Sequence, residues 1–126
     1  MQNLNRLRLR KYSREETAEI IRKATLTIVS LCTPVKVIAF GSSVTGSFDD
    51  ASDLDFVVVF SSLEEALNGR RLLYRNGHLE GRIVDFICVD LKTFEAKSVL
   101  GGIYWVAVNE GRVSFPTHSK PPSGNL

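Results

Sequence analysis

The period of hydrophobic and polar positions changes several times along the chain, and each change predicts an element. Residues 13–32 read as a helix, with Ile21, Ala24, Ile28 and Leu31 at helical spacing. Ser13, with Glu16 three residues later, is a capping box that opens it, and Pro34 marks the stop. "VKVIAF", 35–40, is a short buried strand, and "GSSVTG" then turns the chain sharply into a short helix. "LDFVVVF", 54–60, is nearly all apolar, which predicts a strand covered on both faces. "SSLEEALNGRRLLYRNG" is a helix with Ser62 as N-cap and Glu65 three residues on, ended by Asn76-Gly77. "RIVDFICVD", 82–90, is a third strand. "LKTFEAKSVL" is a helix broken by Gly101-Gly102, "IYWVAVNEG" adds a further helical turn or two, and "RVSF" is a last edge strand.

This order predicts a small α/β (α+β) fold in which helices pack on a mixed sheet. Neither an internal repeat nor a linker is visible. Residues 1–12 form a basic N-terminal arm, 13–115 the domain, and 116–126 a tail with the composition of disorder.

Composition narrows the classes. With 126 residues, the chain suits one domain, and 44% hydrophobic with 24% charged residues is ordinary for a globular protein. A net charge of +2 is too weak to argue for nucleic acid as a partner. Arg6, Arg8, Arg10 and Lys11 gather at the start, either as a phosphate-seeking arm or, the blander reading, as a solvated frayed terminus. The two cysteines, Cys32 and Cys88, lack any zinc-ligand spacing and read as buried free thiols in a reducing cytoplasm. There is no apolar leader region and no apolar stretch long enough to span a membrane, so the expected location is cytoplasmic, without a membrane partner.

Three features carry chemistry. Gly41-Ser42 follows a strand directly, where a glycine lets the backbone approach a ligand and free N–H groups can cradle phosphate. Alone, such a pair is usually just a turn. Asp53 and Asp55 lie two residues apart at the mouth of a strand, so alternation points both the same way. Two such anions repel unless a cation lies between them, and Mg²⁺ favours carboxylate and phosphate oxygens. An isolated Asp-x-Asp could equally be a solvated loop. Asp85 stands inside the apolar run "IVDFICV", where an unpaired carboxylate costs on the order of several kcal/mol to bury. A strand beginning or a salt bridge to Arg82 would relieve that cost, and so would a metal shared with Asp53 and Asp55.

Phe40-Gly41-Ser42, ten intervening residues, Asp53-Leu54-Asp55-Phe56 and then Val84-Asp85-Phe86 together resemble the nucleotidyltransferase superfamily. That superfamily includes DNA polymerase β and the aminoglycoside nucleotidyltransferases. The ten-residue gap is similar to that of the minimal single-domain branch, many of whose members look like antitoxins paired with a HEPN-domain toxin. Ser52 and Gly46 also match that branch. The resemblance implies the nucleotidyltransferase fold over residues 14 to 115 and a Mg²⁺-dependent enzyme. Asp53 and Asp55 would bind two Mg²⁺ ions, and Asp85 would bind the catalytic one and help activate the acceptor. Gly41 and Ser42, with Ser52 nearby, would hold a nucleoside triphosphate, ATP above others. The expected reaction moves AMP to a hydroxyl on a partner protein such as a HEPN toxin, and a homo-oligomer is the other partner expected. Ser43 departs from the pattern, because minimal members often carry a basic residue there. The triphosphate's cation would then come from Lys36, Arg70, Arg71 or Arg82.

Two other classes stay open. The chain could neutralise a partner by contact alone, or serve a small-molecule acceptor with a second chain completing the site. His78, His118, Asp49 and Asp50 read as solvated. Tyr104 and Trp105 read as core or interface, with base stacking as the alternative, and Glu64, Glu65, Arg70 and Arg71 as one polar helix face.

Overall fold

The computed structural model describes residues 9–75 and 81–117. Helix α1 spans Arg14–Leu31 and begins with the expected capping box: the Ser13 hydroxyl accepts from the Glu16 N–H, and the Glu16 carboxylate accepts from the Ser13 N–H. Strand β1 (Lys36–Phe40) leads through Gly41 into a single helical turn, α2 (Ser42–Thr45). Strand β2 (Leu54–Phe60), helix α3 (Leu63–Tyr74) and strand β3 (Val84–Asp90) follow. Helices α4 (Leu91–Lys97) and α5 (Ile103–Glu110) and strand β4 (Arg112–Phe115) complete the chain. Asn76-Gly77, expected to end α3, lies outside the described residues, as do His78, His118, Arg6 and Arg8.

The four strands form one mixed sheet in the order β3-β2-β1-β4. β1 runs antiparallel to β2 and to β4, and β2 runs parallel to β3. The parallel pair requires a crossover, which α3 supplies. RVSF is therefore an edge strand, as expected.

Alternation along β2 assigns its side chains to two faces. Leu54, Phe56, Val58 and Phe60 join Ile21, Ala24 and Ile28 of α1 and Ala66 and Leu73 of α3 in one core. Val57 and Val59 join Ile38 and Phe40 of β1, Phe94 of α4 and Ala107 of α5 in the other. Helices cover both faces, which is why β2 tolerates an unbroken apolar run. Each buried phenylalanine contributes about 2–3 kcal/mol of apolar transfer. Close approach of α3 needs Gly69, because a Cβ there would lie 2.3 Å from the Phe60 ring. Glu64, Glu65, Arg70 and Arg71 form the solvated face of the same helix.

The thiols are half-buried rather than fully buried, and both are free. Burial pushes Cys32 up to about 11 and Cys88 up to about 12, so both stay protonated and unreactive at neutral pH. Among the described residues, no helix is long and apolar enough to cross a membrane.

Candidate active site

The sheet brings Asp85 beside Asp55, thirty residues away in the chain. In the parallel pair, Asp55 stands directly beside Asp85. Neighbouring strands lie about 4.8 Å apart, and in-register residues point to the same side. Both aspartates therefore share the face that carries Val57, Val59, Ile87 and Val89, with Asp85 exposed and Asp55 half-buried. Asp53 precedes β2 on the same side by alternation, and both Asp53 and Asp85 are exposed.

The electrostatics record the crowding. Partial burial, the Asp85 charge, the Asp53 charge and a hydrogen bond with Asp85, in falling order, push Asp55 up to about 6. A proton held between Asp55 and Asp85 is one way to relieve two neighbouring carboxylates, and a cation is the other. Of the alternatives open for Asp85, the salt bridge to Arg82 is not formed, and Asp85 is instead exposed at the beginning of its strand. Arg82 instead donates from Nη1 to the carbonyl oxygens of Ser52 (2.9 Å) and Asp49 (3.2 Å).

Gly41 sits against this group. Its φ of 80° and ψ of −151° fall in a region open essentially to glycine alone, and a Cβ there would come 2.7 Å from the Asp55 Oδ2. The backbone can thus run beside the carboxylate only without a side chain. Ser42 opens α2 at once. Ser43, where a basic residue was expected, is buried, and its hydroxyl donates to the Phe40 carbonyl at 3.5 Å.

The remaining expectations divide. Ser52 locks a turn: its hydroxyl accepts from the Asp49 N–H (3.0 Å) and donates to the Asp49 carboxylate (3.1 Å). Asp49 and Asp50 are not simply solvated. Asp49 also accepts from the Ala51 N–H (2.9 Å), and Asp50 accepts from the Tyr12 hydroxyl (2.8 Å) and the Arg10 N–H (3.2 Å). Arg10 and Lys11 are likewise tied down rather than frayed, since Lys11 bridges to Asp49 and the Arg10 guanidinium lies 4.5 Å over the Tyr12 ring. Lys36 opens β1 opposite Val59, at the far end of the sheet from Gly41. Arg70 lies over Tyr74 at 5.6 Å and Arg71 donates to Asn68, both on the helix that covers the other face. None of the four candidate cations pairs with the three aspartates. Tyr104 packs edge-on against Phe94 with centroids 5.8 Å apart, while Trp105 is 40% exposed.

The loop clamp built from Arg82, Tyr12 and Phe48 was missed from the sequence. Its members lie more than thirty residues apart, so local spacing carries no signal for it. The Asp49–Ser52 turn did have a local signal, an aspartate three residues before a serine. A separate cavity of about 570 Å³ lies behind α2, lined by Tyr12, Arg14, Ser43, Thr45 and Arg112, and none of the three aspartates borders it.

A metal ion shared with a phosphate-bearing ligand would suit this donor set. Among the described residues, no three of His, Cys, Asp and Glu close into a cage. Mg²⁺ usually takes only one or two carboxylates and completes its shell with water and substrate phosphates. An Asp55–Asp85 pair that lacks a counter-charge, open on one side, matches that demand.

A family model for the nucleotidyltransferase domain matches residues 18–111, a span that holds Gly41, Ser42 and all three aspartates. Among solved structures, the chain is similar to that of a candidate nucleotidyltransferase from Sulfolobus solfataricus. The identity is 20% and the TM-score 0.48, covering 79% of this chain and 80% of that one. No curated protein matches the chain.

Proposed function

Because this chain belongs to the nucleotidyltransferase domain family, we propose that it is a Mg²⁺-dependent enzyme moving AMP from ATP to a hydroxyl of a partner protein. The observation that carries the reading is the register that sets Asp55 beside Asp85, with glycine backbone against the Asp55 oxygen. Bound divalent ions supply charge neutralisation at the attacking and leaving oxygens of an in-line displacement. Asp53 and Asp55 would hold them together with the phosphates. Asp85, next to Asp55, would bind the catalytic ion with them, accept the acceptor hydroxyl's proton and orient that hydroxyl. Gly41 and the Ser42 hydroxyl would seat the β- and γ-phosphates, and pyrophosphate would leave on that side. Ser52 keeps the approach to Asp53 rigid through Asp49. A HEPN-domain toxin, by resemblance to the minimal antitoxin branch, is the acceptor to try first.

One observation favours a second reading. Val99, Leu100, Ile103, Trp105 and Val108, within and just before α5, are each exposed apolar side chains. Exposed apolar residues so near in sequence suit binding a partner by contact, with or without transfer.

Calorimetric titration of ATP, GTP, CTP and UTP with and without Mg²⁺ tests the first reading. The expected result is metal-dependent binding of ATP that Asp53→Asn abolishes. Equal binding by wild type and Asp53→Asn would sink it. Adding the toxin separates the two readings: an Asp53→Ala/Asp55→Ala chain that still neutralises it acts by contact.

A further inference from the structure

We propose that Arg82 is a positioning residue for Asp53, an inference that rests on reading Asp53, Asp55 and Asp85 as metal ligands. The two peptide groups flanking Asp53 are tied to the same short segment. On one side, the Ser52 carbonyl accepts from Arg82 Nη1 at 2.9 Å. On the other, the Leu54 N–H donates to the Ile83 carbonyl at 3.1 Å. Asp53 thus stands between two ties that both lead to the entrance of β3, three residues before Asp85 opens to solvent. Arg82 sets how the mouth of β2 sits against the mouth of β3, and so how far Asp53 lies from the Asp55–Asp85 pair.

The guanidinium is itself held in place. It lies 4.5 Å over the Phe48 ring and 5.3 Å over the Tyr12 ring, and its second carbonyl contact, to Asp49, is 3.2 Å long. Tyr12 and Phe48 also pack against each other at 5.6 Å, and the Tyr12 N–H donates to the Phe48 carbonyl at 3.1 Å. The guanidinium carbon lies over both rings while Nη1 reaches two carbonyls. A lysine ammonium has no such plane and cannot do both. Arg82 Nε is buried without a hydrogen-bond partner. A buried unpaired N–H costs stability, so this placement favours geometry over a fully satisfied side chain.

The test measures Mn²⁺ binding, by electron paramagnetic resonance, to the full chain. The samples are wild type, Arg82→Gln, Arg82→Lys, Asp53→Asn and the distant core variant Leu73→Ala, each with its melting temperature. The expected result is Mn²⁺ affinity weakened on the order of ten-fold in both Arg82 variants, as for other residues that orient metal ligands. Leu73→Ala should lose at least as much melting temperature and keep its Mn²⁺ affinity. If Arg82→Gln does not fold, Arg82→Lys carries the test, since it keeps the stem and the charge and loses only the planar fork. Wild-type Mn²⁺ affinity in the folded Arg82 variants overturns the positioning role and leaves the proposed function standing. A loss equal to that of Leu73→Ala overturns it too, because Arg82 then acts through stability alone. Equal Mn²⁺ affinity in wild type and Asp53→Asn overturns the metal reading itself, and this inference with it.

Discussion

The parallel strands β2 and β3 carry aspartates at both ends, and the two ends treat them in opposite ways. At the far end, Asp90 pairs in register with Phe60 and caps α4, its carboxylate accepting from the Thr93 N–H at 3.0 Å. That backbone hydrogen bond holds Asp90 below the usual carboxylate range. At the mouth, Asp55 meets Asp85 and Asp53 and is pushed up to about 6. One aspartate has its partner within the chain. The other is half-buried beside like charges, with Asp85 as its hydrogen-bond partner, and a proton or a cation would relieve it. A carboxylate with an internal donor is structural, and one kept short of donors is available for chemistry.

The sharpest way to break this contrast is Asp55→Asn. It should cut nucleotidyl transfer at least a thousand-fold, about 4 kcal/mol of barrier, while raising the melting temperature of the metal-free protein above pH 6. Activity and thermal melts on one preparation check both halves. A variant that loses stability as well as transfer would mean Asp55 holds the fold together, as Asp90 does.

Gly41→Ala comes next. It places a methyl group against Asp55 Oδ2 and forces alanine into a glycine-only conformation. The expected loss is about a hundred-fold in transfer, roughly 3 kcal/mol, with the circular dichroism of the fold retained. Transfer at the wild-type rate would show that the close approach has no role.

A pH series gives a smaller effect with a definite sign. Asp55 binds its proton more tightly folded than unfolded, so between about 4 and 6 the native state carries more protons. Stability of the metal-free protein should therefore fall as pH rises through that window, by about 1 kcal/mol once solvent screening is allowed for. Millimolar Mg²⁺ at pH 7.5, a concentration on the order of those used for substrate-shared sites, should restore it. Asp90 runs the other way. Its pKa is lowered on folding, so its contribution is present above the unfolded value and lost as pH falls through the folded one. Asp90→Asn, the mildest change, should lower the melting temperature slightly and leave Mn²⁺ binding untouched.

Most of the framework was legible because its signals are local. Ser13 and Glu16 announce α1 within four residues, and Phe56 to Phe60 announce a strand covered on both sides. Asp85 looked like a misfit inside an apolar run, but it stands exposed at the start of β3, and Asp53 is exposed before β2, so only Asp55 carries a burial cost. The four cations were not legible. Lys36, Arg70, Arg71 and Arg82 are equivalent in sequence, and only the sheet order and the placement of α3 show that none pairs with the aspartates. Lys11 and Asp49 are nearly forty residues apart, so no periodicity could join them. Solvation was therefore the natural reading for residues that the fold ties down.

The register of the parallel pair also has a consequence in time. Asp55 and Asp85 lie thirty residues apart, and nothing local brings them together. Contacts of high sequence separation form slowly, because the intervening loop must close before they reward the chain. The α1 helix and the β1–β2 hairpin can assemble while the two carboxylates are still strangers, and their repulsion enters only when β3 docks. The group of carboxylates is therefore assembled only by the last strand of the crossover.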